Sequence, residues 1–296
     1  MAPSLHVPES FRCMAPSLYT RLDRTLSAVP FRPFFGTLRF WVDSVGARLP
    51  GACALCGATG RHVLCHDCRS DYFCRQTVRC TCCGLSLVGE DVPAGRPVCG
   101  HCLRQPPAFD ATVIAADYAA PLDQLVLGLK FGGQLAIAPL LAEQLRAAMA
   151  DRHVHADRSA RLGQEGLQKD LANHLPDCLA PVPLGRARLQ ERGFNQSLEI
   201  ARPLSLALGV PLLPRLLVRV RDTPAQARLA PLARRQNLLD AFTLAPRTVA
   251  RIQGRHVGVV DDVMTTGATL NEIAATLKRF GAARVTNLVF ARTPLP

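Results

Sequence analysis

Residues 259–270 read VVDDVMTTGATL: an apolar run closes on two adjacent acids, passes through a turn of threonine, glycine and alanine, and opens into a helical pattern. A strand that feeds a helix through so short a turn is half of a β-α-β unit, and such units assemble as parallel sheets. The neighbouring sequence agrees. Residues 112–118, 178–182, 257–261 and 285–290 read as strands, while apolar residues recur at helical spacing around 122–129, 139–149 and 195–208. Within 267–280 the same spacing appears at Leu270, Ile273, Ala274, Leu277 and Phe280. Strands alternating with helices predict an α/β fold, a parallel sheet covered by helices on both faces. The polar stretch 151–177 reads as a surface loop or a short frayed helix. With 296 residues, 48% of them hydrophobic, the chain can bury one good core and carry a small second module.

The composition of the turn also carries chemistry. Small residues at Thr265, Thr266, Gly267, Ala268 and Thr269 let successive backbone N–H groups point inward, and the helix start adds the positive end of its dipole. A phosphate dianion fits there, with threonine hydroxyls as further donors. The carboxylates of Asp261 and Asp262 would repel that phosphate, but as acceptor-only groups they suit the hydroxyls of a sugar. Acids for a sugar beside a nest for its phosphate describe one ligand. The plainer reading, acids that merely cap the next helix, does not account for two consecutive acids followed by Thr-Thr-Gly-x-Thr.

A second constellation is PVPLGRARLQERGFNQ at 181–196, which sets Arg186, Arg188, Arg192 and Asn195 between a short strand and a helix. Strand ends along one edge of a parallel sheet converge on the ligand crevice, so this basic loop is expected to face the aspartates. The formal charge of +12 is uneven, with +6 over 181–240 and +4 over 241–296, which points to phosphate-bearing partners without saying whether they are small molecules or nucleic acid. Residues 221–230 are polar and could close over the site as a lid, and 231–239 have helix-forming composition.

The cysteines form four Cys-x-x-Cys pairs: Cys53 and Cys56 with Cys65 and Cys68, then Cys80 and Cys83 with Cys99 and Cys102. Tetrahedral zinc needs four soft ligands, and two such turns close one site, so the pattern predicts two structural zinc centres in a cysteine-rich double zinc ribbon at 51–105. Zinc would supply the folding free energy that a segment thin in apolar residues lacks. From the spacing alone Cys82 could replace Cys83, and His62, His66, His101 or Cys74 lies near enough to compete. Cys13 and Cys178 read as a tail thiol and a small buried hydrophobe. No aromatic series accompanies the basic run, as a base-stacking platform would require, so Trp41 and the few tyrosines read as packing.

The remaining segments complete the expected layout: a disordered tail at 1–33, a short amphipathic helix at 34–50, and the α/β domain at 109–296 after a linker at Pro106 and Pro107. No stretch approaches the roughly 20 apolar residues of a membrane-spanning helix, and the expected address is the cytoplasm.

Residues 259–270 resemble the phosphoribosyl pyrophosphate signature of type I phosphoribosyltransferases. More broadly, the chain is similar to the ComF family, amidophosphoribosyltransferase-like proteins associated with competence for DNA uptake. The likeness runs through the cysteine pairs, the Pro106-to-Asp110 join, Lys130-Phe131, Val182-Pro183-Leu184, Arg192-Gly193-Phe194-Asn195-Gln196, the run containing Gln226, Leu229, Arg235 and Asn237, and the phosphate loop. It covers roughly residues 50–294, leaving out the tail before Phe34 and the stretch 151–177. The resemblance implies a type I phosphoribosyltransferase-like sheet, with Asp261 and Asp262 on the ribose hydroxyls and 265–269 on the 5-phosphate. It makes Asp261, Asp262 and Arg192 the catalytic candidates, adds Val182 and Pro183 to Arg186, Arg188 and Asn195 as binding residues, and favours Cys83 over Cys82. It further implies Mg²⁺ on the pyrophosphate, a nitrogen acceptor, and an acceptor-specific hood drawn from 112–149 and the zinc module. The family association offers another role: a non-catalytic protein handling single-stranded DNA or meeting the DNA-uptake machinery, with the pocket kept for sensing.

Overall fold

A computed structural model describes residues 51–73, 77–87, 97–161, 175–220 and 241–294, without the side chains of 152–161. The tail, the helix expected at 34–50 with Trp41, Cys13 and Cys74, and the lid and following helix expected at 221–239 lie outside these residues. The chain divides into two compact units between Arg75 and Gln76. The first holds strands β1 (Gly51–Ala52) and β2 (Thr59–Gly60), paired antiparallel, and helix α1 (His66–Phe73).

The second unit begins with the second cysteine segment, which contains helix α2 (Gly100–Arg104), and continues into the α/β fold that the sequence predicts. Among the described residues a parallel sheet runs in the order β3 (Ala111–Asp117), β8 (Arg284–Arg292), β7 (His256–Met264), β4 (Cys178–Pro181). The two central strands are buried almost end to end, as strands covered on both faces must be. Side chains alternate across the sheet. Cys178, Ala180, Val257, Val259, Val285 and Val289 share one apolar cluster with Leu270, Ile273, Ala274 and Leu277 of helix α7 (Ala268–Arg279). Helices α4 (Ile137–Arg161) and α6 (Gln196–Leu208) pack on each other and against the sheet strands, with helix α3 (Asp123–Lys130) beside α4. A short antiparallel pair, β5 (Leu217–Arg219) with β6 (Phe242–Leu244), flanks the fold.

Three differences from the sequence reading have local causes. Helix α4 runs on through Arg161, into the stretch read as a loop or frayed helix: after Pro139 in its first turn, no proline or glycine occurs before Gly163. The basic segment after β4 is not all loop. It contains helix α5 (Arg186–Arg192), which starts after Gly185 and stops where Gly193 takes the left-handed conformation at φ 80°. Strand β7 continues past the two acids to Met264, so both aspartates sit inside the strand. No helix among the described residues is long and apolar enough to cross a membrane.

The second cysteine segment is built onto the sheet. The Thr112 N–H donates to Thr81 O at 3.3 Å, and Arg79 reaches Asp117 at the end of β3 with an Nη1–Oδ1 distance of 2.7 Å. A Cβ on Gly84 would fall 2.3 Å from Ile114 Cγ1, so the turn after Cys83 lies against β3 with room only for glycine.

Candidate functional site

Strand β7 brings Asp261 and Asp262 to the carboxyl end of the sheet, the edge at which open α/β folds bind ligands. Both are buried, at 9% and 3% exposure. Asp261 Oδ1 accepts the Ser197 hydroxyl at 2.8 Å and the Asp262 N–H at 3.0 Å. Burial, and then the neighbouring Asp262 charge, push the Asp261 carboxyl up to about 7. Asp262 Oδ1 accepts the Val263 N–H at 2.9 Å, and its Oδ2 lies 2.8 Å from Lys130 Nζ at the end of α3.

Immediately after the strand the chain opens to solvent. Thr265 and Thr266 are exposed, and Gly267 takes φ 82°, which turns the backbone into α7. A Cβ on Gly267 would fall 2.4 Å from Met264 Cε, so Met264 packs directly beneath the turn. The Ala268 N–H approaches Thr266 Oγ1 at 3.4 Å, and the first N–H groups of a helix have no intrahelical acceptor. Two buried carboxylates thus stand beside an exposed, dipole-positive turn. The juxtaposition suits a ligand that pairs hydroxyls with a phosphate.

The basic segment flanks this pair along β4, whose end is tied to β7 by the Val182 N–H donating to Val260 O at 3.0 Å. Asn195 uses both ends of its amide within the protein: its oxygen caps α6 by accepting the Ser197 N–H at 3.0 Å, and its Nδ2 donates to Val182 O at 2.9 Å. It therefore braces Val182 and Pro183 against the helix whose Ser197 holds Asp261. Arg192 donates to Gln196 Oε1 at 2.6 Å and stacks its guanidinium 5.4 Å from the Phe131 ring centroid. Arg186 and Arg188 are exposed on α5.

Lys130 and Ser197 touch the acids directly, and neither was singled out from the sequence as a site residue. For Lys130 a signal existed, since lysine occurs at only three positions of the chain, Lys130, Lys169 and Lys278. Lys278 likewise meets an acid, with Nζ 2.8 Å from Asp110 Oδ1.

Both cysteine tetrads converge. The sulfurs of Cys53, Cys56, Cys65 and Cys68 lie within 4.8 Å of one another, as do those of Cys80, Cys83, Cys99 and Cys102, so Cys83 and not Cys82 completes the second set. The halves repeat one design. Cys53 N–H donates to Ala58 O and Cys80 N–H to Leu85 O, each at 2.8 Å, and the glycine after each first pair takes a positive φ, 74° at Gly57 and 72° at Gly84. Against the upward pull of burial, backbone N–H groups of Cys56, Cys65 and Leu55 bring Cys53 down to about 6; the Cys83 thiol, acting against burial, brings Cys80 down to about 4. Burial drives Cys68 and Cys102 up, and the Cys80 interaction followed by burial does the same to Cys83. Crowded sulfurs that resist joint ionisation suit a soft divalent cation at their centre. The second tetrad is wholly buried, whereas in the first Cys56 is exposed and Cys65 half-buried.

Comparison with known proteins adds an independent line. Residues 169–294 match the phosphoribosyl transferase domain. DNA utilization protein YhgH of Escherichia coli (strain K12) is 38% identical over 248 residues, which span 83% of this chain and 98% of that protein. Competence protein F of Haemophilus influenzae is 38% identical over 187 residues, 63% of this chain and 75% of that one. Among solved structures, glutamine phosphoribosylpyrophosphate (PRPP) amidotransferase from B. subtilis aligns at 21% identity with a TM-score of 0.27, covering 40% of this chain and 23% of that one.

Proposed function

We propose a function from the premise that this chain belongs to the ComF family, the relatives of YhgH and Competence protein F that carry a phosphoribosyl transferase domain: it binds phosphoribosyl pyrophosphate with magnesium and transfers the phosphoribosyl group to a nitrogen acceptor. The observation that carries this reading is the buried Asp261–Asp262 pair next to the exposed threonine-lined start of α7. The 5-phosphate takes the N–H groups and hydroxyls of 265–269, and the ribose hydroxyls donate to the two carboxylates. In the transfer the bond from the anomeric carbon to pyrophosphate oxygen breaks, a carbon–nitrogen bond forms, and the acceptor nitrogen gives up its proton. Positive charge that develops on the ribose ring faces the two carboxylates, and negative charge on the leaving group faces Arg192, Lys130, Arg186 and Arg188. Magnesium, carried by the pyrophosphate, supplies further stabilisation of that charge. Zinc in the two tetrads is structural, since four protein sulfurs leave no open position.

Calorimetry with phosphoribosyl pyrophosphate and Mg²⁺, followed by pyrophosphate release with a panel of nitrogen acceptors, tests the proposal. Asp262→Asn should abolish release. Silence of the wild type in both measurements would refute the reading. A second reading is favoured by the charge of 181–296 and by the names of the relatives: single-stranded DNA binding in DNA use, with the pocket kept for sensing. It predicts DNA affinity that falls steeply with salt and survives Asp262→Asn.

A further inference from the structure

We propose that Arg292 is a positioning residue through which the second cysteine centre sets the phosphate loop; the inference rests on the reading of 265–269 as that loop. Arg292 closes β8 in register with Met264, the last residue of β7. It is 5% exposed, and its Nη1 donates to Met264 O at 3.2 Å, on the peptide that leads into Thr265. The same carbonyl accepts the Thr293 N–H at 3.0 Å. Cys83, Cys102 and Cys99 lie near enough for thiolates there to attract the guanidinium. Its Nε–H has no partner among the described residues.

A buried guanidinium is expensive unless it faces an anion, and breaking such a pair costs more than forming it gains. Four thiolates around one divalent ion leave two net negative charges, and this tetrad is buried on all four sides. Arg292 is therefore placed as its buried counter-charge while its Nη1 holds the Met264 carbonyl. Met264 supplies a second link. Its side chain belongs to the apolar cluster that includes Cys80, Cys83, Cys99 and Cys102, and its methyl lies beneath Gly267. Cysteine cluster, arginine, carbonyl and loop stand in series. In the first repeat, by contrast, a Cβ on Gly57 would meet open space and Cys56 is exposed.

Hydrogen exchange of the intact protein, followed at the amides of 265–270 with metal content measured alongside, tests this. Arg292→Met and Cys83→Ser should each speed exchange there about tenfold, the factor expected for one lost charged hydrogen bond, whereas Cys56→Ser should leave the loop unchanged. Arg292→Lys, which keeps the charge but loses the fork, should retain full metal and yet show an intermediate rate, together with a several-fold weaker Kd for phosphoribosyl pyrophosphate. If Arg292→Met does not fold, the lysine variant carries the test. Unchanged loop exchange in a metal-loaded Arg292 variant, or loosening by Cys56→Ser equal to that by Cys83→Ser, would overturn the proposal. A wild type without affinity for the sugar phosphate would refute the functional reading instead, while exchange rates would still decide the link.

Discussion

Asp261 is held at a cost to the folded state, and replacing it with asparagine should make that cost measurable. Burial first, and the Asp262 charge second, raise its carboxyl from 3.8 to about 7. A raised acid favours folding while it is protonated, so its stabilisation is complete below pH ~4, near the unfolded value, and is lost as pH rises through about 7. At ~1.4 kcal/mol per pK unit, the whole loss is about 4 kcal/mol. The asparagine side chain would keep an acceptor for the Ser197 hydroxyl but bring an amide N–H₂ that needs its own acceptor, costing about 1–3 kcal/mol at every pH. The pH dependence of the difference therefore carries the prediction. Denaturant melts of both proteins from pH 5.5 to 8.5 should show Asp261→Asn gaining about 2 kcal/mol on the wild type across that range. Cysteine ionisation, common to both proteins, cancels in the comparison. A flat difference, or one that moves against the variant as pH rises, would refute this account of the site's electrostatics.

Removing Lys130 strands a buried carboxylate. Lys130→Met should destabilise the protein by about 2–4 kcal/mol, and adding Asp262→Asn should restore much of that in a double-mutant cycle. Gly84→Ala combines a positive φ with a clash against Ile114 and should cost about 2–4 kcal/mol, while Gly57→Ala, with open space around it, should cost about 1, as read from thermal melts. Phe131→Ala removes the ring beneath Arg192 and should weaken phosphoribosyl pyrophosphate binding about two- to fivefold in calorimetry, with little change in stability because the ring is 74% exposed.

The parallel sheet was legible because its central strands carry the apolar runs 257–260 and 288–291 and the turn after β7 has a composition with few other uses. The cysteine pairs were legible because their spacing alone brings two sulfurs to one side of an ion. Helix α5 was less so: its arginines carry both helix propensity and the charge of a solvated loop, and only the left-handed Gly193 settles where the helix stops. Lys130 and Ser197 reach Asp262 and Asp261 from positions 132 and 64 residues earlier, so their partnership exists only once α3 and α6 have docked. Spacing gives no hint of it.

The two cysteine repeats carry the last step. Sequence presents them as equivalents, with the same pairs and the same following glycine, and the structure gives both the same turn hydrogen bond. What separates them is burial, decided by residues outside the pattern: Ile114 and Thr112 crowd Gly84, Arg79 holds Asp117, and Arg292 stands beside Cys83. Disturbing a cysteine set with such neighbours should disturb the end of the sheet as well. The second set is thereby built onto the sheet that carries Asp261 and Asp262, whereas the first keeps an exposed sulfur at Cys56.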